Sequence, residues 1–363
     1  MLLRVPDYYE RFHCIASACP DNCCIGWEID IDPDSDRRYQ QVPGPFGERL
    51  RRSIHRDREQ PCFRMEGERC AMLNDDKLCE LILCLGEESL CQICRDHPRF
   101  TDTFGTLRET GVGLCCPEAG RLLLSNPEPM DFLLLEIPET PETEECDPEL
   151  LRFLLEEREE LFRIAQDRAC SIPERMDRLL EYGMLLQITL EQEDSVPESD
   201  SAPVDESVAV SEVGKWLEAL SGLEAINQTW TATLEGTIQC FACPSEEWNN
   251  LRIRFRREAL KWEYEYENLL MYYLFRYFLK AVYTGDCLTP VQLAVVSTLL
   301  TGALELAEFS KWGAIPADRR IALAGLYSKQ VEYSEENLET LKDWLIFDTA
   351  FSCEKIRLIL NAF

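Results

Sequence analysis

Positive charge is scarce in this sequence. Against 67 Asp and Glu stand 37 Lys and Arg, which gives a formal net charge of −30 and a pI near 4.5. That balance argues against phosphate-backbone binding as the main task, so no nucleic-acid partner is expected. It suits a basic partner, such as a lysine-bearing protein, and equally plain solubility. No run of about 18 apolar residues occurs, so no transmembrane segment is expected. The densest stretch, NLLMYYLFRYFLKAVY (268–283), is interrupted by Arg276 and Lys280. The opening MLLRVPDYYERFHC meets an Arg, a Pro and an acid too early for a signal peptide. A reducing, cytoplasmic setting is therefore expected, in which clustered cysteines read as metal ligands rather than disulfides. No GxGxxG loop follows a predicted strand, so a Rossmann-type nucleotide site is not supported. No internal repeat of fixed period is found.

What is present suggests a mainly α protein. The 363 residues, 45% hydrophobic, are enough for two or three domains. We expect an irregular Cys-rich metal-binding domain of small α/β content at 1–135, an acidic linker at 136–149, and an α-helical domain at 150–363. The linker EIPETPETEECDPE has seven acids and no base. The stretch 191–212 has eight acids and no base, and 193–211 is expected to be a disordered acidic insert. Residues 1–12 read as a partly helical lead-in, GWEIDID (26–32) as a short strand, and 34–60 as exposed helix. Within the last, Arg49, Arg51, Arg52, Arg56 and Arg58 form a basic patch. Pairing with acids at helical spacing is the plain reading; an anionic ligand or a peripheral membrane contact is the sharper one. Further helices are expected at 78–85, 87–94, 117–124, 149–169 and 173–192, with a hairpin around Gly105. The segment 245–283 has no Pro or Gly and carries an apolar face from Trp248 to Tyr277. Four more helices follow at 291–309, 316–329, 334–347 and 353–363.

The chemistry lies in the thiols. Of 18 cysteines, twelve fall between residues 14 and 116, and His13, His55 and His97 lie in or beside that stretch. The spacings are Cys14-x4-Cys19-x3-Cys23-Cys24, Cys70-x8-Cys79, Cys91-x2-Cys94 and Cys115-Cys116. A pair such as Cys91-x2-Cys94 can aim both sulfurs at one centre from a tight turn or helix start. One zinc is saturated by four thiolates, and this region offers more than twice that number, which fits a cluster, two sites or redox chemistry. Adjacent Cys23 and Cys24 would face opposite sides of an extended chain, so at most one is expected at the principal centre. Cys84 (ELILCLG) reads as core. Cys62, Cys146, Cys170, Cys287 and Cys353 read as ordinary thiols, and Cys240-x2-Cys243 has no second pair nearby.

The segments CIASACPDNCCIGWEIDID, CAMLNDDKLCELILCLGEESLCQICRDHPRF and LCCPEAGRLLL resemble the bacterial flagellin lysine-N-methylase family, as does the later block YENLLMYYLFRYFL. The thiol pattern is shared more loosely with zinc- or iron-chelating domains. The resemblance implies methyl transfer from S-adenosylmethionine to lysines of flagellin, with a [4Fe-4S] cluster. By motif match it implies Cys14, Cys19, Cys23, Cys24, Cys70, Cys79, Cys91, Cys94 and Cys116 as the family's thiols. The family's Tyr-Pro-Arg stands here as His97-Pro98-Arg99, and Cys115 is an additional thiol, so the ligand set stays open. His97 as a further ligand competes with His97 as a packing residue. The alternative function is a non-catalytic iron- or zinc-binding protein for storage, delivery or sensing.

The Cys-x3-Cys-x2-Cys signature of radical S-adenosylmethionine enzymes is absent, because Gly26 stands where its third cysteine would be. A cluster could hold the donor at an open iron or simply shape the pocket. An acceptor lysine must also shed a proton; Asp30, Asp32, Asp96, Tyr8 and Tyr9 are candidate helpers. Trp262, Tyr266, Tyr272 and Tyr273 could line a slot for a cation, or be helical core.

Overall fold

The N-terminal residues Leu2–Pro6 form a strand (β1), followed by a 3-10 turn at Tyr9–Arg11, where a helical lead-in was expected. The computed structural model describes residues 1–58, 60–139, 146–191, 206–242 and 246–360. Asp32 caps the next element: its carboxylate accepts from the Ser35 N–H, and Pro33 fills the first turn of α1 (Pro33–Gln41). Helix α2 (Gly44–Arg52) and the strand pairs β2 (Ile54–His55) with β3 (Cys62–Phe63) and β4 (Met65–Glu66) with β5 (Arg69–Cys70) follow. Two short helices close the region, α3 (Glu80–Leu85) and α4 (Gln92–Asp96), separated at Gly86. These pieces share one small core of Ile29, Ile31, Tyr39, Leu50, Ile54, Phe63, Met72, Leu81 and Leu90, with the Cys24, Cys70 and Cys91 side chains built into it. The expected strand at 26–32 does not form. That segment makes only isolated bridges, Ile25 to Arg69 and Asp30 to Cys62, because its partners are two-residue ribbons.

Strand β1 then finds its partners far along the chain. β6 (Arg99–Phe104) and β7 (Leu107–Val112) form the expected hairpin, and β8 (Phe132–Glu136) completes a sheet of order β6-β7-β1-β8. β1 runs parallel to β7 and antiparallel to β8. The sheet packs on helices: Phe132 stacks on Phe162 and Phe275 at 4.8 and 4.7 Å. Helix α5 (Pro117–Leu124) starts with its proline at the first turn.

The remainder is helical: α6 (Pro148–Ala165), α7 (Ile172–Glu191), α8 (Glu206–Leu220), α9 (Gln228–Phe241), α10 (Glu246–Ala259), α11 (Glu263–Tyr277), α12 (Ala281–Thr284), α13 (Leu288–Trp312), α14 (Ala317–Val331), α15 (Glu335–Phe347) and α16 (Cys353–Leu360). The long apolar-faced segment is not one helix. A 3-10 turn at Leu260–Trp262 divides α10 from α11, and a second at Phe278–Lys280 precedes α12. Beyond Leu269 nearly every α11 side chain is buried, as its all-round apolarity predicts. Residues 206–211, expected to be disordered, are the start of α8; residues 193–205 of that insert and 140–145 of the acidic linker lie outside the described residues. Helix α13 is long and apolar enough to cross a membrane by composition, yet 94% of its most apolar window is covered by neighbouring helices.

Candidate functional site

Each thiol is held by a short local device. Cys24 sits in a turn where the Asn22 carboxamide accepts its backbone N–H at 2.9 Å, and its carbonyl accepts from the Cys70 N–H at 2.8 Å. That bond brings the Cys14–Cys24 loop to the β4–β5 ribbon. Cys79, Cys91 and Cys116 each occupy the position before a helix, α3, α4 and α5. Backbone N–H groups of the first turn point at their sulfurs: Leu81 and Ile82 to Cys79, Cys94 to Cys91, Glu118 and Ala119 to Cys116. Such donors favour a thiolate.

The thiols meet in two neighbourhoods. In the first, Cys23 and Cys24 share a hydrogen bond, Cys91 and Cys94 share another, and Cys70 and Cys79 lie within electrostatic reach of both pairs. The second comprises Cys14, Cys19 and Cys116, with Cys19 close enough to feel Cys23. The described cysteines are all free thiols. Cys23 and Cys24 therefore converge, against expectation, because residues 22–25 turn instead of extending. Cys115 and Cys116 part company: Cys115 is buried against Tyr333 and Arg276. Cys84, read as core, is exposed on α3 with Ile82, Leu83 and Leu85. Cys62 and Cys287 are buried; Cys146, Cys170, Cys240 and Cys353 are half-buried; Cys243 lies outside the described residues.

The shared hydrogen bonds lower one thiol of each pair. The Cys24 thiol donates to Cys23, whose pKa falls to about 7, and Lys329 adds a favourable charge. Cys91 is lowered in the same way by Cys94, while Cys24 and Cys94 rise. Burial pushes Cys70 up to about 12 and Cys116 up to about 11. Among the described residues no three Cys, His, Asp or Glu side chains are grouped as a single-ion site. A lone zinc needs four donors at ~2.3 Å from one point. An iron–sulfur cluster spreads its thiolates, one to each iron. Soft sulfurs with N–H groups aimed at them are a donor set that either a zinc ion or an iron–sulfur cluster can take.

Cys23 and Cys94 open onto a cleft of about 510 Å³. Trp27, His97 and Tyr333 line one part of it, and Glu28, Asp30, Asp32 and Asp96 supply carboxylates. Trp27 and Tyr333 stack at 5.9 Å and 24°, and His97 meets them edge-on at 5.3 and 5.9 Å. Burial, with Lys329 nearby, pushes His97 down to about 4, and its ring packs against Trp27 and Tyr333. The Trp27 indole N–H donates to the Cys23 carbonyl at 2.8 Å, which ties the aromatic wall to a thiol. The candidate helpers separate. Asp30, Asp32 and Asp96 line the cleft; Tyr8 is buried in the main core, and Tyr9 packs against it. Asp32 is engaged by the N–H groups of Ser35 and Gln92.

Tyr333 was not legible as a site residue. It arrives from the far end of the chain, carried by α14. Lys329 on that helix pairs with Asp21 and lies 5.3 Å over Trp27. Behind Tyr333, half-buried Arg276 donates to Glu332 at 2.8 Å and to the Tyr272 hydroxyl, and the Tyr277 hydroxyl donates to Glu332 at 2.9 Å. Of the two readings of Trp262, Tyr266, Tyr272 and Tyr273, slot or helical core, the structure shows core, with Tyr266 packed against it. Arg320 covers Trp262 at 4.1 Å, and Tyr266 donates to Glu305 at 2.6 Å. A second cavity of about 300 Å³ among α7, α10 and α13 is mainly apolar and has no thiol among its described lining residues. Four of the five arginines of the basic patch have partners, three of them acids distant in sequence. Arg49 pairs with Glu80, Arg56 with Asp36 and Arg58 with Glu28, while Arg51 donates to the Val42 carbonyl.

Residues 158–358, more than half of the chain, match the family described as FliB lysine N-methylase C-terminal domain. A protein named lysine-N-methylase from Salmonella typhimurium is 29% identical over 133 residues, covering 34% of this chain and 33% of that protein. A flagellar biosynthetic protein FliU from Salmonella muenchen is 28% identical over 136 residues, covering 34% of this chain and 78% of that protein. The chain thus spans about a third of the length of the lysine-N-methylases it matches. No solved structure matches.

Proposed function

The chain belongs to the FliB lysine N-methylase family, and we propose that it is a protein-lysine N-methyltransferase that modifies flagellin, uses S-adenosylmethionine and binds a [4Fe-4S] cluster through its N-terminal cysteines. The observation that carries this reading is the cleft of about 510 Å³ that meets the thiols at Cys23 and Cys94 and is lined by carboxylates and aromatic rings. A thiol set that only stapled the fold would have no need of such a cleft.

The residues divide the work. Four of Cys23, Cys24, Cys70, Cys79, Cys91 and Cys94 would hold the cluster, with Cys14, Cys19 and Cys116 beside them. A cluster there would supply a Lewis-acidic or redox-active iron. The acceptor ammonium first gives a proton to solvent; the lone pair of the neutral amine then bonds the donor's methyl carbon as the carbon–sulfur bond breaks, leaving a neutral thioether and a methylated ammonium. Asp30 and Asp96 place carboxylates in the cleft, and the rings of Trp27, His97 and Tyr333 narrow access for water. Burial keeps Tyr272, Tyr277 and Tyr333 protonated at neutral pH, which removes them as bases.

Anaerobic purification tests the reading. We expect a brown protein with broad absorption near about 400 nm that bleaches in air. We also expect methyl transfer to flagellin that is lost in Cys91→Ser while the far-ultraviolet circular dichroism is retained. A colourless protein holding one zinc per chain would sink the cluster, and a brown protein inert towards flagellin would favour metal storage or sensing.

A further inference from the structure

A methyl acceptor needs a place for a flexible aliphatic chain ending in a cation, and the thiol cleft has the chemistry for one. Its aromatic wall is a stacked pair, Trp27 on Tyr333. The ring faces already carry this chain's own cations, Lys329 at 5.3 Å over Trp27 and Arg276 at 5.3 Å over Tyr333, so the ring edges are left to pack against a methylene stem. Its carboxylates are not equivalent. Asp32 is committed to two backbone N–H groups, and Glu28 to Arg58. Asp30 and Asp96 are exposed, and among the described residues their carboxylates make no hydrogen bond or ion pair. Arg99, which also lines the cleft, lies over Phe12 at 5.2 Å.

We propose that Trp27 and Tyr333 receive the side chain of the acceptor lysine and that Asp30 and Asp96 hold its ammonium beside Cys23 and Cys94. This rests on the reading above, that the acceptor is a protein lysine. Carboxylates favour the charged amine, so Asp30 and Asp96 capture and orient the lysine; they do not by themselves activate it. The slot selects for length and charge: norleucine fills the aromatic wall but leaves the carboxylates unmatched.

Two end-blocked peptides of one sequence, carrying lysine or norleucine at a single position, are titrated calorimetrically into the anaerobically prepared full chain. The lysine peptide is expected to bind roughly tenfold tighter or better than the norleucine peptide. The double variant Asp30→Asn/Asp96→Asn, at exposed positions, is expected to weaken the lysine peptide by about the same factor and leave the norleucine peptide unchanged. Tyr333→Leu is expected to weaken both peptides. Circular dichroism identical to wild type confirms the fold of each variant. Equal affinity for the two peptides, or a folded double variant that binds the lysine peptide like wild type, overturns the slot. Methyl transfer to flagellin is assayed separately. Transfer with an unchanged KM in the double variant overturns the slot and leaves the activity standing. Lysine-selective binding without transfer supports the slot and sinks the activity.

Discussion

Gly113 has no side chain because Tyr333 occupies the space: a Cβ there would lie 1.9 Å from the Tyr333 hydroxyl. Gly113→Ala must therefore displace the ring that walls the cleft. We expect a lysine-peptide affinity lowered about as far as by Tyr333→Leu, with a loss of roughly 1–3 kcal/mol in unfolding free energy from overpacking. Urea melts and the calorimetric titration check both. Glu305 is the second residue with a measurable signature. It is fully covered, and burial raises its carboxyl to about 7 from an ordinary value of 4.5, against the help of the Tyr266 hydroxyl and Arg320; Glu265 adds to the rise. Between those values the folded chain holds a proton that the unfolded chain releases. The stabilisation is therefore full below pH 4.5 and drains away as pH rises through 7. Glu305→Gln removes that slope, and at pH 8 it should be more stable than wild type by on the order of 1–3 kcal/mol. Equal pH dependence in the two proteins would contradict it. Single residues were also where sequence reasoning went astray. Cys84 has apolar neighbours on both sides, but α3 is only six residues long and presents that stretch to solvent. Periodicity cannot say which face of so short a helix is covered.

At the scale of elements, helix ends were legible where a proline or a cap marked them, as in α5, and not where packing alone decided. Nothing in the sequence between Ser245 and Tyr283 announces the 3-10 turn at Leu260–Trp262. Helix α9 (QTWTATLEGTIQCF) is rich in β-branched residues with a glycine, a weak helix former by propensity. Burial of Trp230, Leu234 and Phe241 holds it instead. Sheet and helices are joined by the pair Arg158–Glu109, both fully buried, with contacts of 2.8 and 2.5 Å. Removing one partner leaves a bare charge in the core. Arg158→Met should lose roughly 3–5 kcal/mol, and the double variant Arg158→Met/Glu109→Leu should recover much of it. Additive losses would show that the pair is not the tie. Helix α14 is pressed close to α5: a Cβ on Gly120 would stand 3.0 Å from the Ile321 side chain, and one on Gly325 would stand 3.1 Å from the Leu114 carbonyl just before α5. That close crossing sets where Lys329 and Tyr333 end up. The sequence showed the helix but could not show what it crosses.

For the whole molecule, the mainly α class and the early concentration of thiols were legible, because composition and spacing are local properties. The meeting of the two thiol groups, and the choice of Tyr333 as a wall, were not, because both depend on contacts across most of the chain. The apolar interior falls into two clusters, a small one from Cys24 to Cys94 with sulfurs among its members, and a large one shared by the sheet and the helices. With the proposed cluster bound, a core that small would lean on it. Treating the metal-loaded protein with an iron chelator in air should therefore bring proteolytic cuts within residues 14–96 before any in the helices, read by mass spectrometry of the fragments. Simultaneous cutting throughout would argue against that order.

The stacking of Trp27 on Tyr333 has one more consequence. Its two halves belong to opposite ends of the polypeptide, so neither end can form the wall without the other. A lineage that exchanged its Cys-rich leading part for another could keep every helix and still lose the groove. Inherited variation at these two positions should accordingly be correlated, each ring constraining what its counterpart is allowed to become.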